Sequence, residues 1–201
     1  MKTGNRSRRT TLLGLLTAIL MVFGMTPLGY LNIGPLAISF NMIPVAIGAA
    51  ALGPVGGAIL GAVFGMTSFL QCIGIGGSSA MGVILFDINP IFAFIQRFVP
   101  RVTAGFLVGV IYQLVRKVCK PGLAGSIAGF CAALLNTVLF MGALVLLFGN
   151  TQYLTDLIAG RNVIVFICTF VGVNAVAEML ATTAVTGALT AALERSGLLR
   201  R

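Results

Sequence analysis

The sequence contains no histidine, no tryptophan and only four acidic residues among 201. Without histidine the chain has no Ser-His or Cys-His catalytic pair, and its four cysteines are scattered and show no C-x-x-C spacing typical of metal or redox sites. A G-x-x-x-x-G-K-[ST] phosphate-binding loop is also absent. We therefore predict that the chain is not an enzyme and holds neither a metal nor a cofactor.

Charge is missing from long parts of the chain. No charged residue lies between Arg9 and Asp87, and 58% of all residues are hydrophobic. A membrane-spanning helix needs about 20 mostly apolar residues, and its backbone polar groups must be bonded within the segment. The sequence therefore predicts a multi-pass protein of the cell membrane, folded as an all-α bundle.

Proline and glycine breaks divide the apolar sequence into six predicted transmembrane helices. The second helix is expected to be short, and the stretch from Gly74 to Pro100 is predicted to be long and irregular. Such non-helical backbone can line an enclosed site. The six predicted helices are Thr10–Thr26, Ile38–Leu52, Val55–Ile73, Val102–Val118, Leu123–Phe148 and Val163–Leu193.

The net charge of +9 comes from basic residues at the ends of the apolar segments. They form no patch with interleaved aromatic residues, so we predict no nucleic-acid partner. With six spans, most of these basic residues share one side of the membrane. Because basic loops remain in the cytoplasm, we predict cytoplasmic tails at residues 1–9 and 196–201 around a membrane domain at residues 10–195.

Glycine recurs every four residues at positions 53, 57, 61 and 65. Small residues at this spacing allow two membrane helices to approach closely. We interpret the stripe as internal packing of the third helix, and a sliding surface for a partner is the alternative.

A few polar residues fall within or beside the predicted spans, where ionisable groups are costly and usually functional. Arg97 and Arg101 lie near the start of predicted helix four, and a guanidinium can bind a carboxylate or phosphate through two parallel hydrogen bonds. Glu178 is either a structural partner or part of the same site. Residues expected to surround a small polar ligand as hydrogen-bonding or aromatic walls are Asn41, Gln71, Asn136, Tyr30 and Phe40.

Several motifs in order along the chain resemble one family of membrane proteins. They are TPLGYLNIGP at 26–35, LGPVGG at 52–57, FGMTS at 64–68, and Asn89-Pro90 followed by Val99-Pro100-Arg101. The chain resembles the substrate-binding S components of energy-coupling factor (ECF) vitamin transporters, and most of all their pantothenate-type branch.

The resemblance implies a protein that binds a vitamin from outside and then docks on a transmembrane T component carrying two cytosolic ATPases. In this family small residues on the first helix form the docking face, which corresponds here to Gly14 and Ala18. The usual pattern has alanine at both positions, so Gly14 departs from it.

Pantothenate carries one carboxylate together with hydroxyl and amide groups, so one arginine and several neutral hydrogen-bonding residues would suit it. We expect Arg101 to bind the carboxylate, with Arg97 near it. The residues expected to bind the hydroxyl and amide groups are Asn41, Asn89, Asn136 and Asn174. Alternatives are another vitamin such as folate or a pyridoxine-like compound, a proton-coupled secondary carrier using Glu178, and a structural membrane protein.

Overall fold

The computed structural model describes residues 2–26, 29–33, 36–77, 79–158, 160 and 162–197. Within these ranges, side chains are described outside residues 2–6, 30–38, 163–164, 166–171 and 173. The described part of the chain is predominantly helical. Its elements, in order, are α1 (Lys2–Met25), β1 (Tyr30–Ile33), β2 (Leu36–Ser39), α2 (Met42–Leu52), α3 (Pro54–Leu70), a 3-10 turn (Gln71–Ile73), α4 (Ala80–Ile88), α5 (Pro90–Val115), α6 (Pro121–Phe148), α7 (Gln152–Ile158) and α8 (Val163–Arg195).

Five helices in the described ranges are long and apolar enough to cross a membrane: α1, α3, α5, α6 and α8. The sixth apolar helix, α2, has only 11 residues, so it is about 16 Å long and covers roughly half of a bilayer core about 30 Å thick. The predicted shortness of the second helix is confirmed. The structure shows five full-length candidate spans, and a sixth crossing stays a prediction.

The prediction of a long irregular stretch from Gly74 to Pro100 is wrong. Helix α4 occupies Ala80–Ile88, and α5 begins at Pro90 instead of Val102. The side-chain oxygen of Asn89 accepts hydrogen bonds from the backbone N–H groups of Ile91 and Phe92, at 3.0 and 3.1 Å, and Pro90 suits the first helical turn. Pro100 lies inside α5, where membrane helices tolerate proline.

The prediction of an all-α fold holds for the bundle but missed a small hairpin. Strands β1 and β2 pair antiparallel, with Tyr30 opposite Ser39 and Ile33 opposite Leu36. The segment that we predicted as the first turn of the second helix, from Ile38, is therefore partly strand. Helix α2 begins at Met42, after the chain has turned back on itself.

The glycine stripe packs α3 against α5, which confirms the prediction of internal packing. A methyl group on Gly57 would collide with the carbonyl oxygen of Gly105, and one on Gly61 would collide with the carbonyl oxygen of Arg101. Gly53 lies outside α3 and ends α2 with a φ of 85°, a conformation that favours glycine. Only glycine permits such backbone contact, because any side chain would separate the two helices.

Helices α6 and α8 pack in the same close manner. A methyl group on Gly129 would collide with the carbonyl oxygen of Thr182, and one on Gly125 would collide with the hydroxyl of Thr190. Two tightly packed helix pairs, α3 with α5 and α6 with α8, therefore form most of the bundle.

The bundle has two chemically different ends. The "basic end" carries Arg9, whose Nη2 donates to the carbonyl oxygen of Leu52 at 2.8 Å, and an exposed ion pair between Arg116 and Glu194. The opposite "polar end" includes the first residues before α2, the last turn of α3, and the parts of α5, α6 and α8 that carry Arg101, Phe140 and Glu178.

Candidate functional site

Helix α5 presents two arginines on one face at the polar end. Arg97 and Arg101 are four residues apart, so they are neighbours on a continuous helix, and each side chain is only 6% exposed. The sequence predicted that they lie near the start of a helix beginning at Val102. The early start of α5 instead places both guanidinium groups inside the bundle, where a buried charge needs a partner.

The Arg101 guanidinium contacts aromatic rings from two other helices. Its central carbon lies 4.4 Å from the ring centroid of Phe64 on α3 and 4.8 Å from that of Phe140 on α6. Its Nη1 also donates to the carbonyl oxygen of Arg97. These cation–π contacts hold the guanidinium in a water-poor place.

Arg97 is held mainly by serines. Its Nη1 donates to the hydroxyl of Ser68 at 3.2 Å, and its Nη2 donates to the hydroxyl of Ser79 at 3.1 Å. The same Ser79 oxygen caps α4 by accepting from the N–H of Gly82. Arg97 also lies 5.3 Å from the Phe140 ring centroid. Arg97 therefore joins α3, α4 and α5 beside Arg101.

Glu178 is the acidic residue of this group. It lies on α8, is 8% exposed, and is close enough for the Arg101 charge to act on its carboxyl group. Two arginines are thus buried with a single carboxyl group, so positive charge is in excess. Such an excess favours a bound anion.

Several buried polar atoms at this end have no hydrogen-bond partner among the residues that the structure describes. They include the side-chain oxygens of Asn41 and Asn136 and one oxygen of Glu178. Buried polar groups are nearly always paired, so unpaired ones need an explanation. Oxygens left without donors are where the N–H and O–H groups of a ligand can bind.

Gln96 is a further buried polar residue, and both polar atoms of its side chain are affected. Its side chain is completely buried, and neither its amide nitrogen nor its amide oxygen has a hydrogen-bond partner in the described part of the chain. It directly precedes Arg97. The sequence placed Gln96 beside the two arginines, but it was not among the residues that we predicted to bind the ligand.

Other predicted site residues are already engaged in the fold. Gln71 donates from Nε2 to the carbonyl oxygen of Gly24 and so joins the end of α3 to α1. The side-chain oxygen of Asn89 caps α5. The backbone of Phe40 bonds to Gly29 on one side and to Ile43 on the other, and its side chain is half-buried.

Two further residues were predicted to bind the ligand, Asn174 and Tyr30. Asn174 is half-buried on α8, one turn before Glu178. The side chain of Tyr30 lies outside the described residues, although its backbone pairs in β1.

The sequence analysis also missed Phe140, Phe64 as an arginine contact, and Ser79. Aromatic residues are so common in membrane helices that the sequence alone did not mark the two that contact Arg101.

The residues proposed for docking lie on a separate surface. Gly14 and Ala18 are both exposed on α1, and an added methyl group on Gly14 would have no atom within 4 Å. Leu15 and Val22 on the same helix are about half exposed. This part of α1 is therefore not covered by the described parts of the bundle.

The family model of the ECF transporter substrate-specific component matches residues 8–190. The chain belongs to this family. The resemblance found in the sequence motifs is thus confirmed, and this ECF component is a multi-pass protein of the cell membrane. In the described ranges it has no group of three His, Cys, Asp or Glu residues that can hold a metal ion.

One relative of this ECF component is the pantothenic acid transporter PanT of Lactococcus lactis subsp. cremoris. The two are 25% identical over 207 residues, and the alignment covers 96% of this chain and 98% of the relative. The likeness therefore extends over nearly the whole length of both proteins.

Proposed function

We propose that this protein is the vitamin-binding S component of an ECF-type importer, and that its ligand is pantothenate. The observation that carries the proposal is the burial of Arg97 and Arg101 together with a single acidic residue, Glu178. Pantothenate has one carboxylate, which the excess of positive charge can bind. The similarity to a pantothenic acid transporter supports the same ligand.

The neutral part of the ligand can be bound by the unpaired oxygens. Pantothenate has two hydroxyl groups and one amide N–H, all of which are donors. The side-chain oxygens of Asn41 and Asn136 are buried acceptors without a partner in the described structure. A ligand placed between Arg101 and these oxygens would complete their hydrogen bonding, which favours binding over an empty site.

We further propose six spans with both termini in the cytoplasm and with the polar end facing outside. Arg9 and the ion pair of Arg116 with Glu194 lie at the basic end, and basic segments stay on the cytoplasmic side. Tails at residues 1–9 and 196–201 then flank the membrane domain at 10–195. The ligand enters from outside, and a T component with two ATPases supplies the energy for its release inside.

The binding proposal is tested by calorimetric titration of the purified protein with pantothenate in detergent, beside native mass spectrometry for a co-purified vitamin. We expect saturable binding by the wild type. Arg101→Ala should weaken it by about 2 kcal/mol or more, roughly thirtyfold, because a charged hydrogen bond is lost. Unchanged affinity in this variant would refute the role of Arg101.

Two controls make this result specific. Arg116→Ala removes an exposed arginine from the end of the same helix and should leave the affinity unchanged. Arg101→Ala also removes the basic residue beside the buried Glu178, which destabilises the fold. The double variant Arg101→Gln with Glu178→Gln should therefore fold well and still bind weakly. A co-purified folate or pyridoxine-like compound would keep the family and replace pantothenate as the ligand.

The docking proposal is tested by Gly14→Leu on the exposed face of α1. A bulky residue there should abolish ATP-driven pantothenate uptake when the T component and ATPases are co-expressed, with Kd unchanged. Leu15→Ala, a change to an exposed neighbour, serves as the control and should retain uptake. Loss of binding in Gly14→Leu would show that this position stabilises the fold.

A second candidate function rests on the burial of Glu178. A proton-coupled carrier would use this carboxylate as its proton site. Such a carrier would take up pantothenate in vesicles that lack the ATPases, and an uncoupler would stop it. An S component should bind in those vesicles without transporting.

A further inference from the structure

Gln96 is an unusual residue to find buried without partners. Its side chain is completely inaccessible, and neither amide atom has a hydrogen-bond partner among the described residues. Gln71, on a neighbouring helix, shows the ordinary arrangement, in which the buried amide donates to a backbone carbonyl oxygen. A buried amide without partners destabilises the fold relative to an apolar side chain of the same size.

The backbone at this position adds a further acceptor. Helical residues receive a hydrogen bond from the N–H four positions later, and for Gln96 that position is Pro100, which has no N–H. The carbonyl oxygen of Gln96 therefore lacks its usual donor in α5. One residue thus offers an amide and a backbone carbonyl that the helix itself does not satisfy.

The surroundings of Gln96 place it at the border of the charged group. Arg97 follows it directly, and Arg101 is one turn further along the same helix. Ala93, three residues before Gln96, packs with Met141 and Leu144 of α6 in a buried apolar cluster. That cluster offers no hydrogen bonds, whereas the arginines that follow Gln96 along α5 mark the part of the bundle where we expect a polar ligand.

We propose that Gln96 is a specificity-determining residue whose carboxamide pairs with a neutral polar group, an amide or a hydroxyl, of the bound vitamin. This inference rests on the proposed function, because it assumes that the ligand's charged group lies at Arg101. A carboxamide both donates and accepts, so it can pair with an amide in two hydrogen bonds or with a hydroxyl in either sense. The ligand then supplies the partners that the fold does not.

The first test replaces Gln96 by Leu, which has similar volume and no hydrogen-bonding group. We expect pantothenate binding to weaken by about tenfold or more. We also expect ligand-free Gln96→Leu to melt about 2–4 °C higher than the ligand-free wild type, because the unpaired amide is gone. Circular dichroism in detergent measures the two melting temperatures. Gln96→Met serves as a second variant if the branched side chain disturbs packing.

Gln113→Leu is the matched control, because Gln113 lies on the same helix near the basic end. It should leave the affinity unchanged. If Gln96→Leu binds pantothenate as tightly as the wild type, or if its ligand-free melting temperature falls, Gln96 has a structural role and the inference is overturned.

The second test uses two pantothenate analogues, one with an N-methylated amide and one without the secondary hydroxyl. The Gln96→Leu penalty should disappear for the analogue that lacks the paired group, which identifies that group. An equal penalty for all three compounds would overturn the inference. If the wild type does not bind pantothenate, the proposed ligand is wrong. The melting temperature of ligand-free Gln96→Leu then decides whether the Gln96 amide lacks hydrogen-bond partners in the fold: a higher value supports this, and a lower value overturns it.

Discussion

The two ends of the bundle differ in how their buried polar side chains are bonded. Toward the basic end, threonine hydroxyls on α8 are bonded by their own helix: Thr182 donates to the carbonyl oxygen of Glu178, and Thr190 to that of Thr186, each at 2.7 Å. Only the Thr186 hydroxyl there has no partner in the described structure. At the polar end, side-chain atoms of Asn41 and Gln96 are buried without partners.

The same difference appears in the apolar packing. Around the basic half of α2, alanines such as Ala49 and Ala124 are completely buried with Val108 in a continuous apolar core. The polar end instead buries Arg97 and Arg101 against aromatic rings. The comparison indicates that the polar end gives up some stability for a site that a ligand completes.

The largest effect is expected when the packing of the basic end is broken. Gly109→Leu would force a side chain into the backbone of Pro54, which an added methyl group already approaches to 2.5 Å. We expect a loss of about 3 kcal/mol or more and no monodisperse peak in size-exclusion chromatography. Gly142→Leu is the control, because no atom lies within 4 Å of its added methyl group. A well-folded Gly109→Leu variant would show that α3 and α5 can separate freely.

A smaller effect is expected from Gln71→Leu. This variant tests whether the Gln71 amide stabilises the fold or binds the ligand. The variant loses the hydrogen bond from Nε2 to the carbonyl oxygen of Gly24, so its melting temperature should fall by about 2–4 °C. The affinity for pantothenate should change by less than about twofold. Weaker binding with an unchanged melting temperature would return Gln71 to the site, where the sequence analysis placed it.

The smallest effect is expected from Glu178→Gln. The change removes the one acidic side chain beside Arg101, and the carboxylate of the ligand can still bind the arginine. Calorimetry should show a Kd within about threefold of the wild type or tighter, and ATP-driven uptake should continue. Uptake that is lost while binding remains would favour the proton-coupled carrier.

The sequence was sufficient for the membrane class, the family and most helices, because long apolar runs and their breaks follow directly from the needs of a bilayer. The glycine spacing correctly predicted close packing of α3, since only backbone contact explains a repeat every four residues. The start of α5 was missed because Pro100 was interpreted as a helix break. Asn89 and Pro90 together gave the better signal for a helix start.

The two arginines of the site could be predicted from the sequence, but its other polar residues were harder to predict. A sequence shows that Gln71, Gln96 and Asn89 are polar, but not which of them the fold already satisfies. That distinction depends on which helix lies opposite each side chain. Only the position of Pro100, four residues after Gln96, gave a local reason to expect an acceptor without its usual donor.

The short length of α2 places its first turn inside the bundle. This helix begins beside Asn41 at the polar end, and Arg9 binds its last carbonyl oxygen at the basic end. Helices α2 and α3 meet at Gly53, so the 11-residue α2 stops about 9 Å short of the far end of the 17-residue α3. The unpaired side-chain oxygen of Asn41 therefore lies below the rim of the bundle, at a depth that a ligand must enter to reach it.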